Sequence, residues 1–111
     1  MINDLISFLN DSPVNFLAVN TLVTRLEAAG FRHLDACQPL GEIPAGSKFF
    51  VTKNDSSLYA FRIGTQPLGQ AGFRLICAHC DSPTFRIKPH AEMLCEGGIT
   101  KLSTEVYGGP I

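Results

Sequence analysis

Apolar residues near the N-terminus recur at helical spacing. Leu5, Ile6 and Leu9 share one face of residues 3–10, which predicts a first helix. Ser12 is the predicted N-cap of a second helix, with Pro13 in its first turn and Gly30 as its stop. The stripe expected to pack this helix on the chain's own sheet consists of Val14, Leu17, Ala18, Leu22, Leu26 and Ala29.

After a connection that contains several prolines and glycines, apolar and polar residues alternate with a period of two. Residues 48–53 and 58–63 are predicted to form a β-hairpin across residues 54–57. Residues 64–72 form a glycine-rich loop without the lysine or the following helix of a phosphate-binding P-loop. The alternating residues 48–53 and 58–63 therefore predict a sheet. The glycine-rich loop is predicted to be a connection and not a nucleotide-binding site.

Two further extended segments are predicted near the end of the sequence. Phe85 and Ile87 alternate with Arg86 and Lys88, which predicts one buried and one solvated face. Residues 93–98 are predicted to be a loop, and residues 100–107 a strand. The basic residues of this region are expected to lie on a solvated edge.

An apolar run, residues 73–81, ends in a His-x-Asp pair. It predicts a buried strand with His79 and Asp81 on one face, because side chains alternate along a strand. A neutral imidazole can bind a metal through one nitrogen while a carboxylate holds the other N–H. The end of a central strand is also where α/β sheets present their sites. By itself, however, the same pair also occurs at ordinary structural positions.

Composition narrows the classes of function. The 111 residues carry 17% charged residues and a net charge of −1, which gives no basic surface for nucleic acid or an anionic membrane. The length sets an upper limit of one domain. There is no basic leader and no apolar run of about 20 residues, so a cytoplasmic protein that does not span a membrane is expected.

The remaining histidines and the four cysteines suggest no further site. His33 and His90 have no carboxylate at informative spacing and are predicted to be surface residues. Cys77 and Cys80 have C-x-x-C spacing, but a strand would point them to opposite faces. No helix follows them to lower a thiol pKa. Free thiols are therefore the expectation, and a small zinc or redox module is the alternative.

The flanks of the His-x-Asp pair make a family resemblance specific. The chain resembles the aspartyl aminopeptidases, the M18 family of metallo-aminopeptidases, over its whole length. The motifs that carry the resemblance are residues 12–13, 26–31, 50–54, 56–58, 78–83, 85–89 and 105–109. The family usually has threonine where this chain has Cys80, a departure that is tolerable if Cys80 faces away from His79.

The resemblance implies a fold and a chemistry. It implies an α/β fold in which N-terminal helices pack on a mixed β-sheet, as a partial domain of a di-zinc aminopeptidase. Residues 1–111 would form the N-terminal part of its catalytic domain. By matching positions, His79 would bind Zn²⁺, and Asp81 would be the catalytic-site carboxylate that orients the imidazole. The substrate would be a peptide with an acidic N-terminal residue, and the full-length form a homo-oligomer.

The number of available ligands qualifies this expectation. A catalytic zinc takes about three protein ligands, and the sequence offers one credible histidine. The chain is therefore expected to be an incomplete and inactive N-terminal portion of the enzyme. A non-catalytic scaffold or interaction fragment remains an alternative, as does the cysteine module. Related di-zinc deacylases or amidohydrolases also use His-x-Asp, but without these flanking segments.

Overall fold

The computed structural model of the protein describes residues 1–39 and 41–109, except for the side chain of Leu68. Contacts divide the chain into two compact units, Met1–Asp81 and a second unit that begins at Ser82. No linker composition in the sequence marks this boundary. Among the described residues, no helix has both the length and the apolar character needed to span a bilayer.

The two predicted N-terminal helices are present. Helix α1 spans Ile2–Asp11 and helix α2 spans Asn15–Ala28. Gly30 follows the end of α2 with φ +80°, and its N–H donates to the carbonyl of Glu27. The next N–H, that of Phe31, donates to the carbonyl of Leu26. This is a Schellman motif, so the prediction that Gly30 ends the helix is confirmed.

The predicted N-cap of α2 is wrong. The N-cap is Val14, in extended geometry and without a side-chain cap hydrogen bond, and Ser12 instead is the C-cap of α1. The N–H of Ser12 donates to the carbonyl of Leu9, which commits this residue to the end of α1. Pro13 also disfavours helical geometry at the residue before it. The start of α2 is therefore delayed to Asn15.

A three-stranded mixed sheet lies against α2 in the first unit. Its strands are β1 (Arg32–His33), β2 (Lys48–Lys53) and β3 (Ser57–Arg62), in the order β1-β2-β3. The β1–β2 pairing is parallel and the β2–β3 pairing antiparallel, so the predicted hairpin is confirmed. Helices on a mixed sheet make the fold α/β, as expected. Among the described side chains, the buried residues of this unit are Ala18, Val19, Phe49 and Phe50.

Residues 73–81 do not form the predicted buried strand. After the short helix α3 (Leu68–Ala71), residues 72–79 have no regular secondary structure. Phe73 is 82% exposed and Ile76 is 96% exposed. The local pattern of a buried strand is present, but a strand also needs a neighbouring backbone. Within residues 1–39 and 41–109, no backbone hydrogen bond pairs residues 73–80 with another segment.

The second unit contains a two-stranded antiparallel ribbon. Strand β4 spans Thr84–Leu94 and strand β5 spans Thr100–Tyr107, with a bulge between Ile87 and Glu92. The predicted loop at 93–98 is wrong at its start, because Met93 and Leu94 belong to β4. The extended conformation predicted for residues 85–88 is confirmed, but its buried face is not: Phe85 and Ile87 are exposed. A two-stranded ribbon has no second layer to cover either face.

Candidate metal-binding site

His79 and Asp81 lie together at the end of the first unit. The distance from His79 Nδ1 to Asp81 Oδ1 is 3.4 Å. The two residues are two positions apart in a stretch without regular secondary structure, with Cys80 at a bend between them. The expectation that the two side chains project together is confirmed, although the strand predicted to present them is not formed.

The pair has the chemistry of a metal ligand with its orienting carboxylate. When the imidazole is neutral, an N–H on Nδ1 can donate to the Asp81 carboxylate, which leaves the lone pair on Nε2. The His79 side chain is 93% exposed, whereas that of Asp81 is 33% exposed. The 3.4 Å separation is long for a charge-assisted hydrogen bond. The pair therefore has the required composition but is loosely held.

The described residues do not contain a complete metal-binding site. Among them, no group of three or more His, Cys, Asp or Glu side chains is arranged to hold a metal ion. Since a catalytic zinc takes about three protein ligands, His79 fits one position in the coordination shell. The roles predicted for His79 and Asp81 stay predictions.

The cysteines are free thiols. Cys37 and Cys77 are exposed, and Cys80 and Cys95 are half-buried. The half-buried Cys80 directly follows the exposed His79, as expected for neighbours on opposite sides of an extended chain. The C-x-x-C spacing of Cys77 and Cys80 thus corresponds to neither a disulfide nor a cysteine-rich metal group within the described residues.

The other two histidines lie on the surface, as predicted. His33 is exposed at the end of β1, with its ring centroid 5.2 Å from that of Phe50. His90 is exposed in β4, where it has φ +55° at the bulge.

Sequence reasoning did not predict two cavities in the first unit. One, of about 290 Å³, lies between α2 and the sheet and includes Val19, Glu27, His33 and Phe50 in its walls. The other, of about 430 Å³, is lined by residues 32–35, 38–39, 41–43 and Phe49. The first arises where segments distant in sequence meet, so no local motif could have indicated it. Neither cavity includes His79 or Asp81.

Comparison with known proteins identifies the family to which this α/β chain belongs. The model of the family described as aminopeptidase I zinc metalloprotease (M18) matches residues 8–111. The chain therefore belongs to the M18 family, and the resemblance found in the sequence is confirmed.

Bacterial relatives match nearly the whole chain. The "Probable M18 family aminopeptidase 2" of Clostridium novyi (strain NT) is 48% identical over 109 residues, which is 98% of this chain and 25% of the relative. The protein of the same description from Ectopseudomonas mendocina (strain ymp) is 47% identical over 111 residues, again 25% of its length. The chain thus spans about a quarter of the curated relatives it matches.

Solved structures support the same assignment of the fold. A chain in the "Cryo-EM structure of the Ape4 and Nbr1 complex" aligns with a TM-score of 0.88 and 37% identity, covering 97% of this chain and 21% of the other. The "Structure of Chaetomium thermophilum mApe1" aligns with a TM-score of 0.85 and 29% identity, covering 95% and 24%. The α/β architecture is therefore that of part of a larger chain in each of these structures.

Proposed function

We propose that this chain is the N-terminal part of the catalytic domain of a zinc-dependent aminopeptidase that releases aspartate or glutamate from the N-terminus of peptides. The observation that carries the proposal is the His79–Asp81 pair, which lies inside the M18 match and has its side chains 3.4 Å apart. In its full-length form, the enzyme would be a cytoplasmic homo-oligomer.

His79 would contribute one zinc ligand through Nε2. Asp81 would accept the hydrogen bond from Nδ1–H and so fix the tautomer and the orientation of the ring. When bound, zinc would lower the pKa of a coordinated water and polarise the peptide carbonyl. The proposed role of these two residues is to hold the zinc ion and to orient the imidazole. The acid–base groups of the reaction would lie elsewhere.

The lack of further metal ligands affects the activity expected of the isolated chain. Because the described residues supply no metal-binding group of three, we propose that the other ligands come from polypeptide corresponding to the remaining three quarters of the relatives. The isolated chain would accordingly be inactive. The preference for acidic N-terminal residues is carried by the family resemblance, so the substrates of the test must include a neutral one.

A chimera tests the proposal directly. Residues 1–111 are joined to the part of the Clostridium novyi relative that follows its matched segment, with which the chain shares 48% identity. With zinc present, the chimera is expected to hydrolyse glutamyl and aspartyl peptides and to leave leucyl peptides nearly untouched. His79→Ala should abolish hydrolysis, whereas His90→Ala, at another exposed histidine, should not.

Three results would count against the proposal. Equal cleavage of leucyl peptides would contradict the proposed preference for acidic residues but not the proposed aminopeptidase activity. Full activity of His79→Ala would remove the metal-ligand role. A folded, zinc-loaded chimera that cleaves none of the peptides, when the intact relative cleaves them under the same conditions, would favour the non-catalytic scaffold.

A further inference from the structure

The cavity of about 290 Å³ between α2 and the sheet is an elongated groove. Glu27 lies near the start of β2, because Ala29, two residues later, accepts the hydrogen bond from Lys48. Asp55 lies in the turn that follows the other end of β2. The six residues of this strand span about 16 Å. The two carboxylates that line the groove therefore lie towards its opposite ends.

The stretch of the groove between the two carboxylates is largely apolar. Val19 and Phe50 form its buried floor, and Val23 lies one turn of α2 beyond Val19. His33 is the sheet partner of Phe50 and stands beside it, with the two ring centroids 5.2 Å apart. Phe16 also lines the groove and is 56% exposed, so apolar surface is available to a ligand. A methylene chain placed here would displace water from that surface, which favours binding.

The two carboxylates have no counter-ion within the described part of the chain. Glu27 and Asp55 make no ion pair and no side-chain hydrogen bond there. None of the described lining residues is a lysine or an arginine. Lys53 is next to Thr52, which lines the groove, and alternation along β2 directs Lys53 to the other face. The groove thus complements a ligand with a positive charge at each end and an apolar chain between them.

We propose that this groove is a binding site for linear aliphatic diamines, with one ammonium group beside Glu27, the other beside Asp55 and the methylene chain over the apolar floor. Recognition at both ends makes the length of the chain a determinant of affinity, because a short diamine reaches only one carboxylate. The site is independent of the proposed peptidase activity, since neither His79 nor Asp81 lines the groove.

A titration with four small molecules tests the proposal on the unaltered chain. Isotope-labelled residues 1–111 are titrated at constant ionic strength with α,ω-diaminooctane, α,ω-diaminopropane, the monoamine octylamine and the uncharged octanediol, and amide shifts are followed by NMR. Diaminooctane is expected to shift the amides of α2 and β2 that line the groove. It should bind at least about 3-fold more tightly than each of the other three, since only it forms both ion pairs across the apolar floor.

Neutral variants of the two carboxylates test recognition at each end. Glu27→Gln and Asp55→Asn should each weaken the binding of diaminooctane by about 3-fold, and the double variant by about 10-fold. Asparagine tolerates the φ of +50° at position 55, so the turn should be kept. The matched control is Glu96→Gln, at an exposed carboxylate in the second unit, which should leave the affinity unchanged. Thermal unfolding of each variant reports whether it is folded.

Three results would overturn the proposed site. Octylamine that binds as tightly as diaminooctane would leave an apolar groove without recognition at two ends. Unchanged affinity in both Glu27→Gln and Asp55→Asn would remove the carboxylates from the site. Binding to residues 1–111 that is absent from the chimera would show that other parts of an M18 chain cover the groove. The series of small molecules uses the unaltered sequence, so it decides the proposal even where a variant unfolds, and the peptidase activity of the chimera has no bearing on it.

Discussion

The ammonium group of Lys48 caps the C-terminus of α2 through Ala29. Its Nζ donates a hydrogen bond of 2.9 Å to the Ala29 carbonyl oxygen and lies 5.5 Å from the centroid of the Phe31 ring. Helix C-termini leave carbonyl groups without partners and carry a partial negative charge. A residue at the start of β2 thereby connects the sheet to the end of the helix packed on it.

Removing this cap should destabilise the first unit. We expect Lys48→Met, which keeps most of the aliphatic length, to lower the free energy of unfolding by about 0.5–1 kcal/mol. Lys53→Met, at the other end of the same strand, is the control and should have little effect. Urea denaturation followed by circular dichroism measures both. Equal effects of the two substitutions would mean that the Lys48–Ala29 contact contributes nothing specific.

The glycine that ends α2 allows a test of backbone strain alone. Gly30 has φ +80°, and a Cβ built there would meet no atom within 4 Å. We expect Gly30→Ala to destabilise the protein by about 1 kcal/mol, because the left-handed region disfavours residues that carry a Cβ.

The matched control is Gly64→Ala. A Cβ at Gly64 also meets no atom within 4 Å, but its φ is not in the left-handed region. This substitution should be neutral or slightly stabilising, since it reduces the freedom of the unfolded chain. Thermal unfolding of both variants makes the comparison. A Gly30→Ala variant as stable as Gly64→Ala would show that the Schellman geometry is not maintained in solution.

The isolated chain should bind zinc weakly. The described residues contain no group of three ligands, and fewer ligands do not offset the dehydration of the ion. Titration calorimetry of residues 1–111 with zinc should therefore give no one-to-one binding at submicromolar concentration. Tight binding that is lost when Cys77 and Cys80 are both changed to serine would instead support the cysteine module.

Substitutions in the chimera should rank the residues of the candidate site. His79→Ala removes a ligand and should eliminate metal from one site together with the peptidase activity. Asp81→Asn keeps an acceptor but removes the charge that orients the imidazole, and changes of this kind typically lower affinity or activity about 10–100-fold. Metal analysis alongside the rate of glutamyl-peptide hydrolysis gives the ranking.

Cys80→Thr is the control for that series. It restores the residue usual in the family at a half-buried position next to His79. We expect metal content and rate to be nearly unchanged, because alternation along an extended segment predicts that Cys80 faces away from His79. A loss as large as that of Asp81→Asn would place Cys80 inside the site.

The sequence by itself determined the features that depend on neighbours along the chain. The apolar period located α1 and α2, and the glycine that can adopt φ +80° marked the end of α2. Alternation located the β2–β3 hairpin, whose turn residues Asn54 and Asp55 tolerate positive φ. The contact of His79 with Asp81 also joins residues only two positions apart. Each of these needs only interactions within a few residues.

Tertiary structure decided what depends on distant partners. The parallel pairing of the two-residue strand β1 with β2 has no local signal. Ser12 could cap either helix by its sequence, and its hydrogen bond to Leu9 decides in favour of α1. Residues 73–79 have the composition of a buried strand, yet burial and pairing require a second backbone and covering layers. A sequence pattern specifies which face of a strand is apolar, but only another segment of polypeptide can bury that face and supply the further ligands that the proposed metal site needs.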